Sequence, residues 1–310
     1  MQPDDRAFRR IVALLIVLQF AACTAKRNQE LGQTGTNSTG TALEEYQSLT
    51  SQQDAIGGIL KQLKSQFPAF EQRTSRTIKQ MRSVASTSAA DAAFLSFRRD
   101  QMARADTFTK QLAEVPAVER VESNEVATSS LRAALQLQGY DLLFDEGTPF
   151  VDESMDYLLT TYGGLVTSGM REYLNLRRSE QHAGFSSDAG LTISWDALAE
   201  RVANWERFLA TYPSFVGKDD ASWWYQIYLR TYLTGLDNSR VFEDDGALVP
   251  HVRRSYDLFL ANHSDSKSGR LLEEYLNVLK QNGYKNGPAA EKFLSDHNLH
   301  SMLGMGPPVR

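Results

Sequence analysis

Asp145, Glu146, Asp152, Glu153 and Asp156 crowd into one short stretch around an expected helix start. Two carboxylates flanking a sugar bond, one protonated and one ionised, are the machinery of glycoside hydrolysis. Asp152 or Glu153 as the acid is therefore one readable chemistry. Acids in a first helical turn are also favoured by the helix dipole, so a capping role accounts for the same residues. Ser264-Asp265-Ser266-Lys267 sets a serine three residues before a lysine, a nucleophile-and-base pair if the two side chains meet. Asp296, His297 and His300 offer two imidazoles at i and i+3, but they stand beside a glycine- and proline-rich terminus that does not fix ligand geometry. No HExxH or GxSxG is present, and a single cysteine, Cys23, excludes an internal disulfide and any multi-cysteine zinc site. No metal or other cofactor is implied.

Two further groups could bind rather than react. Trp195, Trp205, Trp223 and Trp224 lie within thirty residues, together with Tyr228 and three more tyrosines. Such rings line a groove for a peptide or glycan, or fill the space between helices. Trp223 and Trp224 cannot share one side of a helix. Arg73, Arg76, Lys79 and Arg82 step by three along one helical side. They suit an anionic surface (lipid headgroups, peptidoglycan or an acidic partner) or a solvated helix face. The segment Lys61–Lys110 holds ten basic residues against four acids, whereas the chain beyond it holds 18 against 28. The net charge of −5 argues against nucleic acid as the main partner.

The elements that must position these residues read as helices. Leu43, Tyr46, Leu49, Ile56, Leu60, Leu63 and Phe67 form one apolar stripe, weakened at Gly57-Gly58. Pro68 is expected to break or kink it, with further helices over 70–84 and 91–115. Thr148-Pro149 reads as an N-cap with proline at the first helical position, Ser194 as another N-cap, and Asn282-Gly283 as a helix end. Gly190–Ser194 has extended character but is too isolated to imply a sheet. The fold class is therefore all-α.

Stretches beginning at Met155, Trp205 and Tyr256 align without gaps, 50 and then 51 residues apart. Each has a large apolar residue first, an acid second (Asp156, Glu206, Asp257) and leucine fifth (Leu159, Leu209, Leu260). Turn signals follow at Gly163-Gly164, Pro213-Ser214 and Ser264-Asp265. This period predicts stacked helical hairpins, each covering the apolar face the last leaves open. The segment FLATYPS from Phe208 resembles one found in tetratricopeptide-like proteins, including periplasmic lipoproteins. The resemblance implies a TPR-like or irregular α-α array, although this period is near 50 rather than 34. The S-x-x-K pattern resembles that of penicillin-recognising enzymes, and Glu153-Ser154 that of lytic transglycosylases; the companion motifs of both families are missing.

The start of the chain supplies an address. Arg6, Arg9 and Arg10 precede the apolar run Ile11–Ala22, too short to span a bilayer. The run ends Phe20-Ala21-Ala22-Cys23, which resembles the bacterial lipobox with phenylalanine in place of leucine. The resemblance implies a signal peptide at 1–22, diacylglyceryl transfer to Cys23 and anchoring in membrane lipid. An ordinary signal peptide with Cys23 incidental is the alternative. Thr24, where aspartate would signal inner-membrane retention, favours the outer membrane facing the periplasm. The expected organisation is a polar tether at 23–41, a basic amphipathic region at 42–116 and an acidic helical-hairpin domain at 117–310. The expected task is non-enzymatic: a scaffold or interaction module for another envelope protein. The rivals are a peptidoglycan- or glycan-processing enzyme and a small-ligand binder with an aromatic pocket.

Overall fold

A computed structural model describes residues 38–116, 118 and 121–299, with side chains from residue 51. The expected signal peptide, Cys23 and nearly all of the expected tether lie outside the described residues. Among those residues the chain is mostly helical, with only short antiparallel strand pairs. It divides into two compact units, one running to Arg178 and one starting at Ser179.

In the first unit α1 (Ser38–Arg82) and α2 (Ser88–Ala113) pack together across a five-residue turn. α3 (Glu125–Gln136) packs on α1, and a hairpin of β1 (Tyr140–Asp145) and β2 (Thr148–Glu153) packs on α3 and α2. Two shorter-spaced helices follow, α4 (Met155–Tyr162) and α5 (Ser168–Ala183), the latter running past Arg178. Ile56, Ile59 and Leu63 from α1, Ala105, Phe108 and Leu112 from α2, Leu131 and Leu135 from α3, and Tyr140, Leu142 and Val151 from the hairpin make one core. The helical members recur at three and four residues, so each helix contributes a single stripe.

Two local expectations are corrected. α1 continues through Pro68 to Arg82, taking in the helix expected over 70–84. Pro68 and Lys64, whose carbonyl loses its helical donor, are both exposed, so water can serve that carbonyl. Leu63 and Phe70 are buried on either side and hold the segment to its neighbours. Thr148-Pro149 opens a strand, not a helix. Glu146 and Gly147 both have positive φ, 49° and 79°, which makes the two-residue turn that matches strand twist. Pro149 is tolerated because a two-stranded hairpin consists of edges.

In the second unit α6 (Trp195–Thr211) and α7 (Lys218–Thr234) form one helical hairpin, and α8 (Pro250–His263) and α9 (Lys267–Gln281) the next. α6 packs on both α8 and α9, and α10 (Pro288–Asp296) on α9. The turns fall at Pro213-Ser214 and Ser264-Asp265, and Ser194 Oγ accepts from Ala197 N at 3.1 Å as an N-cap. Asn282 caps α9, and Gly283 takes φ 64°.

The 50-residue similarity has a structural counterpart. Met155, Trp205 and Tyr256 are all buried, and so are Leu158, Phe208 and Phe259 three residues later. Each of these helices follows a β-hairpin: β1–β2, then β3 (Ser186–Ser187) with β4 (Gly190–Leu191), then β5 (Gly235–Leu236) with β6 (Ser239–Arg240). The last two hairpins interlock through Asn238 N to Ala189 O at 2.9 Å and Leu191 N to Ser239 Oγ at 2.9 Å.

Gly269 marks the tightest approach. A Cβ there would lie 2.0 Å from the His263 carbonyl oxygen, a backbone atom that cannot swing away, whereas Gly57 and Gly58 face open space. Gly269→Ala is expected to cost about 3 kcal/mol through forced backbone shifts. Gly58→Ala should stabilise by about 0.5–1 kcal/mol by removing helix-interior glycine entropy. Urea denaturation of the two variants beside the parent measures both signs.

Candidate functional site

The first acids singled out in the sequence belong to a buried polar node of the first unit. Glu153 ends β2 pointing inward, in register with Tyr140. Arg98 stands four residues after Phe94 on the buried stripe of α2. Its Nε donates to both Glu153 oxygens at 2.7 and 2.8 Å, and a terminal nitrogen also pairs with the carboxylate. Its other nitrogen donates to the Tyr173 hydroxyl of α5 at 3.1 Å, with the guanidinium 5.3 Å from the ring centre. Burial disfavours the Arg98 cation, but Glu153 and Tyr173 outweigh it and raise its pKa. Both Glu153 oxygens are engaged by this pair, which holds the hairpin to α2.

Asp152 alternates to the other face and is half-buried. Burial, then the Glu153 charge, pushes its carboxyl up to about 6. The Glu153 backbone N–H, donating at 2.8 Å, and the charges of Arg177 and Arg98 pull the other way without prevailing. Asp156 is exposed and pairs with Arg178 at 2.8 Å.

The aromatic candidates form the interior of the second unit. Trp205 is sealed, its indole donating to Glu180 at 2.5 Å, and it packs edge-on to Phe208. Tyr228 is sealed beneath the Arg201 guanidinium, 5.3 Å from its ring centre, with Phe185 at its edge. Trp195 tilts onto Tyr232. Trp223 is buried and Trp224 half-buried, so only the latter of that pair keeps a surface edge. On α1, Arg76, Lys79 and Arg82 are exposed and Arg73 is half-buried.

Ser264 caps α8 and Lys267 opens α9, so the S-x-x-K stretch is the turn between them. Lys267 N donates to Glu206 at 2.5 Å, and Ser268 N to the other oxygen at 2.9 Å. His297 Nδ1 donates locally to the Phe293 carbonyl, 2.8 Å away, and His300 lies outside the described residues. Among the described residues no three metal-ligating side chains converge.

What the sequence reading missed is a groove of about 200 Å³ between the first helices of successive hairpins. Asp196, Ala197, Ala199 and Glu200 of α6 form one wall, and Ser255, Leu258 and Phe259 of α8 the other. Leu258 is 48% exposed, off the buried stripe of Val252, Tyr256 and Phe259. That offset was the available signal. Among the described residues Arg254 lies 3.7 Å from Asp196, and the His263 imidazole 3.7 Å from Glu200, both loose contacts at the rim. The arrangement suits an apolar side chain beside a cation. No protein-family model, curated protein or solved structure matches the chain.

Two measurements follow. Arg98→Met leaves Glu153 buried without its partner and should cost about 3–5 kcal/mol, while Arg98→Met with Glu153→Leu should recover at least half of that in urea denaturation. Asp152 has a folded pKa above its unfolded one, so its contribution is fully present below pH 4 and is lost as pH rises through about 6. Asp152→Asn should therefore melt above the parent at pH 7.5, and the difference should shrink towards pH 4 in a thermal-melt series.

Proposed function

We propose that this chain is an acylated cell-envelope protein whose helical body is a non-enzymatic docking module. The lipobox-like ending at Cys23 supports the anchor in membrane lipid, and Thr24 supports an outer-membrane site facing the periplasm. The helical body supports a TPR-like use of successive hairpins, in which first helices line a recognition face. The observation that carries the docking role is the groove between α6 and α8, which an exposed leucine on one wall shares with two carboxylates on the other. Its charge complement is a segment of another envelope protein that presents an apolar side chain next to lysine or arginine.

The enzymatic rival draws support from Asp152, whose raised carboxyl is a reasonable proton donor near neutral pH. The bidentate hold of Arg98 on Glu153 weighs against it, because a second catalytic carboxylate would have to be free. Nothing about the groove favours an aromatic small-ligand pocket, since none of the tryptophans lines it.

A photo-crosslinker at position 258 in the native envelope tests the reading. Crosslinked peptides should carry a basic residue beside an apolar one, and Asp196→Lys with Glu200→Lys should abolish the crosslink. Intact mass of the membrane-extracted protein should begin at an acylated Cys23, and Cys23→Ala should release it from the membrane fraction. Turnover of peptidoglycan by the purified protein, abolished by Asp152→Asn, would overturn the docking role.

A further inference from the structure

The long helix α1 sorts its side chains into two opposite strips. At about 100° per residue, Ile56, Ile59, Leu63, Phe70 and Met81 fall within one arc about 60° wide, and all are buried. Lys61, Lys64, Arg76, Lys79 and Arg82 fall within an arc of about 120° centred on the other side, and all are exposed. The helix is continuous through Pro68, so both strips run past it. This strip differs from the step-by-three set of the sequence. Arg73 stands about 120° from its centre and is half-buried, while Lys61 and Lys64 join it. Pro68, Gln72 and Ser75 share the exposed arc and carry no charge. Glu71 is the one acid between Lys61 and Arg82 and lies at the edge of the strip; Asp54 closes it on the N-terminal side. None of the five basic side chains has an ion pair or hydrogen bond among the described residues.

We propose that this strip is a lipid-facing surface, along which α1 rests on a bilayer containing anionic phospholipid. Lys61 and Lys64 meet headgroup phosphates at one end, and Arg76, Lys79 and Arg82 at the other. Shape decides the partner. The five span about 32 Å along a convex helix, with about 18 Å of uncharged face between Lys64 and Arg76. One small anion cannot serve both ends, and a convex face offers no groove to hold an acidic peptide. A plane of phosphates meets both ends at once. Like charges in a row repel one another, a cost that a negative surface reverses. No large apolar side chain shares the arc, so the helix lies on the headgroups without inserting. The inference rests on the anchor proposed above only for the nearness of a bilayer, since Cys23 stands shortly before Ser38, where α1 begins. An anchor fixes distance; the strip fixes which side of the first unit faces the lipid.

The test uses the full chain carrying Cys23→Ser, so that no acyl group contributes, sedimented with vesicles of phosphatidylglycerol or of phosphatidylcholine. Phosphatidylcholine measures whatever the apolar run Ile11–Ala22 adds, and the difference between the lipids reads the charge alone. The parent should favour phosphatidylglycerol, and the preference should vanish at about 0.5 M salt, where exposed charges are screened. Arg76→Gln, Lys79→Gln and Arg82→Gln together should cut the preference about a hundredfold, at about fivefold for each basic residue near the surface. The control removes three exposed cations of the second unit, Arg207→Gln, Lys218→Gln and Lys280→Gln. It has the same net charge and should keep the preference. All six residues are exposed, so both variants should melt with the parent. Acylation of Cys23 is read separately by intact mass, so the anchor and the strip fail independently. Equal loss in the two variants, a preference that survives salt, or no preference in the parent would overturn the proposal. Strip-dependent sedimentation with peptidoglycan sacculi, and none with phosphatidylglycerol, would overturn it as well.

Discussion

The β1–β2 hairpin cannot stand alone, and the first unit is arranged around fixing it. Two strands in water are marginal at best. Here the hairpin is fastened to α2 at two places. Thr109 Oγ1 donates to the Val151 carbonyl at 3.4 Å and accepts from its N–H at 2.9 Å, closing the outer edge of β2. Two residues on, Glu153 meets Arg98, and Arg98 reaches across to Tyr173 of α5. Three elements distant in sequence are thereby bound to one guanidinium. A buried ion pair of this kind contributes little net stability over an apolar replacement. Its geometric content is larger: a one-residue slip of β2 would carry Glu153 to the solvent face and leave Arg98 alone in the core.

A second device recurs in both units. A helix N-terminus carries unpaired N–H groups and the positive end of the dipole. In the first unit Asp91 of α2 accepts from Thr167 N at 2.9 Å and from its hydroxyl at 2.6 Å, just before α5. In the second unit Glu206 of α6 does the same for Lys267 and Ser268 at the start of α9. Each carboxylate comes from an earlier helix and grips the second helix of a later pair. Ser268 passes the contact on to the Tyr225 hydroxyl at 2.8 Å. Apolar stripes give stacked hairpins their attraction, but a stripe slides easily; a carboxylate set on two or three N–H and O–H donors fixes register. Arg201 does the converse, donating to the Gly184 carbonyl at 2.6 Å just beyond the C-terminal end of α5.

The helical class and the turns between the later helices were legible because they rest on periodicity and on turn chemistry that a few residues encode. Leu63, Phe208 and Tyr256 announce their burial by spacing alone. The β1–β2 hairpin was misread because Thr-Pro is a helix opener in most settings, and the decisive sign, Glu146-Gly147 between alternating apolar residues, is a weaker variant of the usual turn pair. Pro68 was misread because its cost is local while the packing of Leu63 and Phe70 that offsets it is not. The polar nodes were hidden for a related reason. Arg98 and Arg104 look like two more members of a basic helix, and only their places on the stripe of Phe94, Gln101 and Phe108 distinguish them from Arg99, which is exposed. Which acid would meet Arg98 depended on a strand register not readable beforehand.

Charge satisfaction separates structural residues from candidate functional ones in this chain. Glu153, Asp91, Glu206 and Glu180 each sit within hydrogen-bond distance of matched donors, and each joins elements of its unit. Their polar atoms are answered by the fold itself. Asp196 and Glu200, beside an exposed leucine, have Arg254 and the His263 imidazole near them among the described residues, each at 3.7 Å, and Arg104 keeps a buried Nε with no hydrogen-bond partner among those residues. A half-buried charge without a partner is a standing cost, because desolvation is unreturned. An acidic groove of this kind suits a cationic, apolar-bearing segment, the occupant proposed for it.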